Sequence, residues 1–410
     1  MSNHILVIAD GRSPITQNWI TMLQALGYQV SLVSTYPLEN PLDVTHAFTL
    51  PVAFSGAGST EKKQSVVKNK KNPDSGIKSK IIQTFRPMIM KIRYLLGPLT
   101  IPKYQAKLNQ IISEIKPDIV HALRIPFEGM LASSIPEKYP LLVSIWGNDL
   151  TLHAPATKNM SVWTRKILTR ANGLLADVQR DITLAYQWGF DQQKPTLVVP
   201  GGGGIRLEKI LQSKFSHDWD NVLPSNVPIV VNPRGIRAYA RTDVFFQAIP
   251  NVLKHLPDAV FLCPAMEGKA EAIHWVERLG IKNHVRLLPS LPQNKLWSLF
   301  QKSQISTSIT MHDGTPNTLL EAMACGCFPI AGDIDSLREW ITPGLNGFLV
   351  PPADPNALAE AIVSAYQNSE LRKNAADLNK KEIQSRAEAE RVRSQIKTFY
   401  AQFFRDQSFN

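Results

Sequence analysis

The chain has 410 residues, a formal charge of +11, 44% hydrophobic residues and three cysteines. That length is more than one core serves and predicts two domains of ordinary size. No apolar run of roughly eighteen residues occurs, which argues against a spanning helix. The odd cysteine count, with Cys325 and Cys327 one residue apart and no further Cys or His at zinc spacing, argues against a disulfide framework or a structural metal and leaves Cys263, Cys325 and Cys327 as packing residues.

The N-terminus, HILVIAD, reads as a buried strand without the basic start and small-residue cleavage site of a signal peptide, so a cytoplasmic protein is expected. Ile5 to Ala9 ends at Asp10, Gly11 and Arg12. A helical pattern follows through Trp19, Met22, Leu23 and Leu26 to a stop at Gly27, and Val30 to Val33 is a second strand. This strand, loop, helix and strand opening starts a doubly wound domain, whose ligands gather at the carboxyl ends of strands. Gly11 sits at such an end, where a plain turn and a ligand contact are both compatible with one glycine.

Residues 55 to 76 are rich in Gly, Ser, Lys and Asn, lack an apolar period and read as a loop. Beyond them Ile81, Phe85, Met88, Ile89, Ile92, Leu95 and Leu96 recur at helical steps, with Lys78, Lys80, Arg86, Lys91 and Arg93 on the remaining faces. From Glu61 to Lys116 thirteen Lys and Arg face three acids, so +10 falls in this one stretch. Two readings stay open: docking on an acceptor or an anionic membrane face, and a helix packed on the domain's own sheet. Nucleic acid is disfavoured, because the segment interleaves aliphatic rather than stacking aromatic residues.

Further strands are expected at Asp118 to His121, Leu141 to Trp146, Gly173 to Ala176 and Thr196 to Val199, the last running into Pro200 and the four glycines Gly201 to Gly204. Poly-glycine beside proline is a hinge or a close-approach loop. The second half repeats the pattern: strands at Pro228 to Val231, Ala259 to Cys263, Val285 to Leu288, Ile305 to Thr310, Phe328 to Ala331 and Phe348 to Val350, alternating with helices. A single long polar helix is expected from about Glu382. The count gives two β/α domains.

The most informative stretch is His312 to Ala331, HDGTPNTLLEAMACGCFPIA. Asp313, Gly314 and Thr315 precede Pro316 at an expected first helical position, and Asn317 to Ala324 are good helix formers up to Gly326. The open N–H groups and partial positive charge of such a helix start suit a diphosphate. Asp313 and Glu321 set two carboxylates at different heights beside that anion site. Asp333 and Asp335 have D-x-D spacing, but their place after a strand beyond this block fits a turn and cap, and no metal is expected.

This block, continuing through Glu339 and GLNGFLVPPADPNALAEAI, resembles the E-x7-E region of the GT-B glycosyltransferases of family 4, which are retaining and metal-independent. KPDIVHA, WGNDL, VPGGGGI and VVNPRG fall in that family's order. The resemblance implies two Rossmann-like domains, 1–203 for the acceptor and 204–381 for the nucleotide-sugar, with 382–410 returning toward the first. It implies that Glu321 binds the donor ribose, that Asp313, one methylene shorter than the family's glutamate, lies by the donor sugar or leaving phosphate, and that the backbone of Gly314, Thr315, Pro316, Asn317 and Thr318 meets sugar and phosphate. Arg234 matches the family's arginine for the diphosphate. The partner lysine position falls near Ala240, leaving Arg241 or Arg237 for the second charge. Trp146 stands where relatives often carry histidine, Asp149 matches, and Leu291 matches the backbone contact to the base. The expected reaction is transfer of a hexosyl unit from a UDP- or GDP-sugar to a hydroxyl of a lipid-linked or saccharide acceptor, without a cofactor. A nucleotide-sugar 2-epimerase of the same fold and a non-catalytic nucleotide- or membrane-binding protein are the rivals.

Overall fold

The computed structural model describes residues 3–38, 40–55, 91–212, 219, 223, 227–237 and 239–404. Two units result, one formed by Met1–Ala176, Ile182–Leu197 and Lys397–Asn410, the other by Asp177–Asp181 and Val198–Ile396.

The first unit holds a seven-stranded sheet of β1 (His4–Ala9), β2 (Gln29–Ser34), β3 (Ala47–Thr49), β4 (Ile119–Ala122), β5 (Leu141–Ile145), β6 (Gly173–Ala176) and β7 (Thr196–Val198). Its order is β3-β2-β1-β4-β5-β6-β7. Strand β1 lies parallel to both neighbours, Ile5 standing opposite Val30 on β2 and Ile119 on β4. Residues 119–122, 141–145 and 173–176 are buried throughout, which is why they read as unbroken apolar runs rather than alternating ones.

One buried polar chain crosses this core. The Trp19 indole N–H donates to the Tyr400 hydroxyl at 3.3 Å, Tyr400 meets His121 Nδ1, and His121 Nε2 is 2.9 Å from Ser144 Oγ. Trp19, His121 and Tyr400 are each at most 2% exposed. Burial holds the His121 imidazole neutral, its pKa lowered from 6.5 to about 3. Gly173 has no side chain because a Cβ there would stand 2.6 Å from the Phe403 ring.

The second unit holds β8 (Ile229–Val231), β9 (Val260–Cys263), β10 (Val285–Leu287), β11 (Ile305–Ser308), β12 (Phe328–Gly332) and β13 (Phe348–Val350), in the order β10-β9-β8-β11-β12-β13 and parallel throughout. Successive side chains alternate between two cores. Val230, Phe261, Phe328 and Ile330 join Phe245, Phe246 and Ile362 in one. Val231, Leu262 and Ala331 join Trp297, Phe300, Leu319 and Trp340 in the other. Cys263 and Cys327 are buried in these layers, and the Cys327 thiol points at the Phe300 carbonyl oxygen, 3.0 Å away.

The tail departs from the single helix expected from Glu382. Helices run over Ser369–Arg386 and Ala389–Ala401, and the break has a cause: Ile205 N–H donates to Ala387 O at 2.7 Å and Ala389 N–H donates to Ile205 O at 3.0 Å. A neighbouring strand-like residue has taken the hydrogen bonds that would carry the helix through. No helix among the described residues is long and apolar enough to cross a membrane.

Candidate functional site

In the second sheet the strand order reverses between β8 and β11, so the loops leaving these two adjacent strands diverge and open a crevice at their carboxyl ends. Arg234 is on the first of these loops and Asp313 on the second. Asn232 Oδ1 accepts the Arg234 N–H at 3.2 Å and fixes the turn out of β8. The Arg234 guanidinium donates through Nη2 to the Asp313 carboxylate, and its Nη1 is 3.4 Å from Thr318 Oγ1. Arg234 is 7% exposed, and its Nε is buried without a hydrogen-bond partner.

The loop before the helix is held by its backbone. The Asp313 carbonyl oxygen accepts from Ser336 Oγ at 2.8 Å and from Arg180 Nη2 at 3.1 Å, and its own carboxylate accepts the Gly314 N–H at 3.1 Å. Thr315 Oγ1 donates to the Asp177 carbonyl oxygen and accepts the Trp340 indole N–H, both at 2.9 Å. The helix covers Asn317–Ala324. Pro316 is the residue before its first turn rather than the first helical one, because its ψ of 118° is extended while its carbonyl already accepts from Leu319 N–H at 2.9 Å. No side chain caps this start, so the opening N–H groups keep their donor character. Gly202 passes so close that a Cβ on it would meet the Asn317 side chain at 2.4 Å. Of the two readings of the glycine loop, close approach is the one seen at this position.

Glu321 lies one turn into the helix and is 6% exposed. Gln293 Nε2 donates to Glu321 Oε1 at 2.6 Å, and Arg206 Nη2 donates to Gln293 Oε1 at 2.8 Å, so the Arg206 cation steadies the carboxylate through one intervening amide. Burial raises the Glu321 pKa, against the hydrogen bond from Gln293. Asp177, straight after β6, is pushed well above the usual carboxylate range by burial and by neighbouring Asp181, while it accepts the Gly201 N–H at 2.8 Å. Glu339 accepts the Gln179 and Arg180 N–H groups, both at 2.8 Å, and so caps the Gln179–Gln187 helix. Asp177, Arg180, Gln293 and Trp340 carry no spacing signal of their own; only the place of Asp177 at a strand end marks it.

The remaining expected residues are dispersed. Arg241 is chelated by Asp243 at 2.9 and 2.7 Å, and Arg237 Nη1 donates to the Tyr239 hydroxyl at 3.1 Å. Leu291 is half-buried against the Trp297 core. Asp333 takes a two-pronged bond from Arg338 at 2.6 and 2.9 Å, and Asp335 is 3.7 Å from the same guanidinium.

In the first unit, the Gly11 N–H donates to Ser34 Oγ at 3.2 Å. Asp149 is fully buried and accepts from Arg124 Nη2 at 2.7 Å, Ile125 N–H at 3.0 Å and Trp146 N–H at 3.2 Å. Lys91 is exposed, whereas Arg93 is half-buried with its guanidinium over the Phe127 and Tyr36 rings. Lys78, Lys80 and Arg86 lie outside the described residues.

Residues 213–382 match the family model of glycosyl transferases group 1, and residues 65–177 match that of glycosyl transferase 4-like proteins. The chain belongs to the GT-B glycosyltransferases of family 4. Among curated relatives it is 23% identical over 209 residues to D-inositol 3-phosphate glycosyltransferase 2 of Catenulispora acidiphila, 48% of each chain. It is 22% identical over 178 residues to N-acetyl-alpha-D-glucosaminyl L-malate synthase of Bacillus anthracis, 43% of this chain and 46% of that one. It thus spans about half the length of the curated relatives it matches. The GT-B fold extends further: sucrose-phosphate synthase of Thermosynechococcus elongatus superposes with a TM-score of 0.73 at 16% identity, over 98% of this chain and 99% of that one. Anabaena HepE in complex with UDP and glucose gives 0.71 at 14% identity, over 98% and 100%.

Proposed function

We propose that this family 4 member transfers a hexosyl unit from a UDP- or GDP-sugar to a hydroxyl of a saccharide or lipid-linked acceptor, with retention at the anomeric carbon. The observation that carries the reading is the convergence at the β8/β11 crevice of the buried Arg234 cation, the uncapped helix start at Asn317 and the Glu321 carboxylate. An anionic leaving group needs the first two, and a ribose diol needs an acceptor such as the third. That a structure of HepE holds UDP and glucose, and that a curated relative is named a glycosyltransferase, supports a sugar nucleotide as donor.

In the proposed reaction the bond from the anomeric carbon to the diphosphate oxygen breaks, and one from the same face to the acceptor oxygen forms. The departing phosphate takes the acceptor proton. Arg234 stabilises the charge that grows on the phosphate, a role in which one preorganised donor contributes roughly 2.7–4 kcal/mol. Asp313 holds Arg234 until the donor arrives. Arg241, occupied by Asp243, supplies a second cation only if that pair opens.

The same unit that carries Arg93 also exposes apolar surface. Ile92, Leu95, Leu96 and Leu99 are 43%, 55%, 46% and 65% exposed, next to exposed Lys91. This supports peripheral docking on an anionic membrane face, where aliphatic side chains insert and basic ones meet head groups. Flotation with phosphatidylglycerol vesicles, compared with phosphatidylcholine, tests this part; equal absence from both overturns it.

The catalytic part is tested by incubating UDP-glucose and GDP-mannose with the protein and following nucleotide release and glycoside formation. Arg234→Ala and Glu321→Ala are each expected to depress turnover by on the order of 100-fold or more. Unimpaired turnover in both variants overturns the reading, and release of UDP with an altered free sugar and no glycoside replaces it with epimerisation.

A further inference from the structure

The first sheet has its own reversal of strand order, between β1 and β4, and a second cavity opens there, built wholly from the first unit. It has a volume of about 270 Å³ and is lined by residues that include Asp10 after β1, Arg124 after β4 and Trp146 after β5. Its walls include the Tyr36, Tyr94, Phe127 and Trp146 rings, and its charged lining residues are Arg93, Arg124, Asp10 and Glu128.

Arg93 and Arg124 line it and Arg12 stands over the Tyr36 ring beside it; two of the three already have carboxylates. Arg12 lies 3.8 Å above the Tyr36 ring and pairs with Asp10 at 2.9 Å. Arg124 lies 4.9 Å from the Trp146 ring and pairs with Asp149 at 2.7 Å; burial works against its charge, and Asp149 together with Glu128 and Tyr94 more than offsets that. Arg93 is the third. Its guanidinium stands 4.7 Å from the Phe127 ring centre and 5.4 Å from that of Tyr36, and its Nε is buried without a hydrogen-bond partner. Arg93 forms no ion pair among the described residues.

The carboxylate facing Arg93 is a poor substitute for an ion pair. Glu128 is 4% exposed and its Oε1 accepts from Thr35 Oγ1 at 2.8 Å. Burial drives its pKa up, against the pull of Arg124. The wall is also held at a cost. Phe127 has φ of +69° with ψ of −49°, outside the regions an L-residue favours, and it abuts Gly97, where a Cβ would stand 2.8 Å from its ring. Backbone strain of about 1–3 kcal/mol persists where surrounding structure over-determines it, and such positions cluster at ligand clamps.

We propose that this cavity binds the oxyanion of an anionic sugar or polyol, with Arg93 as its cationic partner and the rings of Tyr36 and Trp146 as its apolar walls. This rests on the glycosyltransferase reading and deepens it: the acceptor hydroxyl belongs to a molecule that also carries a phosphate or a carboxylate. An arginine fork over aromatic faces suits that chemistry, because it bonds planar or tetrahedral oxyanions through fixed donors while the rings cover the carbon skeleton. The oxyanion gives Arg93 the hydrogen-bond acceptors it lacks.

The full chain is titrated calorimetrically with glucose 6-phosphate, glucuronate and glucose. The expected result is binding of at least one anionic probe with an affinity 10- to 100-fold above glucose, the span of one charge-assisted hydrogen bond. Arg93→Gln is expected to erase that preference, Arg93→Lys to keep part of it, and the surface control Lys107→Gln to leave it intact. Binding of UDP-glucose or GDP-mannose, measured on the same samples, separates the two readings. Loss of anion preference with nucleotide-sugar binding retained in Arg93→Gln supports the cavity, and anion binding without any nucleotide-sugar binding sinks the donor reading while the cavity stands. Equal affinity for anionic and neutral probes, no binding of either anion, or an unchanged preference in Arg93→Gln overturns the proposal. Competition for glucose 6-phosphate by phosphatidylglycerol but not phosphatidylcholine vesicles assigns the oxyanion to a lipid head group, and its absence assigns it to a soluble acceptor.

Discussion

Arg234 and Asp313, 79 residues apart in sequence, form a charge-assisted hydrogen bond at the mouth of a helix whose own N–H groups are uncapped. The pair is 7% and 17% exposed at the side chains, so each charge depends on the other. Arg234→Ala strands a carboxylate at an anion site, and Asp313→Ala strands a buried guanidinium. The two substitutions should therefore be non-additive, with a coupling energy of about 0.5–3 kcal/mol in a double-mutant cycle read by chemical denaturation. Additivity within about 0.5 kcal/mol would show the contact to be energetically idle.

The glycine loop makes a graded prediction. Gly204 has φ of +88°, and a Cβ there would stand 2.8 Å from the Ala387 carbonyl oxygen and 2.9 Å from the Ala389 Cα, all backbone. Gly204→Ala is expected to destabilise by roughly 1–3 kcal/mol. Gly202 meets only the end of the Asn317 side chain, which can rotate away, so Gly202→Ala should cost less stability. Its effect should fall on nucleotide-sugar affinity, because Asn317 opens the helix. Thermal melts and donor titrations on both variants check the order, and a larger melting loss for Gly202→Ala contradicts it.

His121 sets an acid limb. Its folded pKa, about 3, is depressed below the unfolded value near 6.5 by burial, so its contribution to stability is fully present above 6.5 and is lost as pH falls from there toward 3. One proton taken up on unfolding gives a slope of about 1.4 kcal/mol per pH unit in that window. Denaturant midpoints between pH 4 and 7 should show this component in the natural sequence. His121→Asn, though less stable at neutral pH, should lack it.

Asp177 acts in the opposite sense. Its folded pKa is raised by burial and by Asp181, so its contribution is complete below the ordinary carboxylate range and declines as pH rises through the raised folded value. Asp177→Asn keeps an oxygen to accept the Gly201 N–H and carries no charge, so its melting temperature relative to the natural protein should rise as pH climbs above the ordinary carboxylate range. A difference that is flat with pH would mean that Asp177 is ionised throughout.

What was legible in the sequence follows from physical range. Strands buried on both faces announce themselves as apolar runs, and Gly173–Ala176 and Phe348–Val350 fall where the pattern puts them. Edge strand β3, with Ala47 and Thr49 exposed, has no such run. The Lys158–Arg170 helix is polar on most of its surface and is started by a Thr157 cap that only the structure reveals. Asp313, Glu321 and Arg234 can be singled out in the sequence because each belongs to a local motif. The side chains they contact, such as Gln293 and Arg180, cannot, since a hydrogen bond across tens of residues leaves no periodic trace. Arg93 shows the limit in reverse: its helical spacing is compatible with a basic outer face, while its half-buried guanidinium lies over the Tyr36 and Phe127 rings.

The bond between Tyr400 and His121 joins positions 279 residues apart. A ribosome adding about 5–20 residues per second needs roughly 15–55 s to cover that interval, and throughout it the pocket beside Trp19 and His121 waits for its plug. The first sheet to be synthesised is thus the last to be finished. A nascent chain halted before Phe399 lacks the side chains that cover Trp19, His121 and Gly173 in the finished protein.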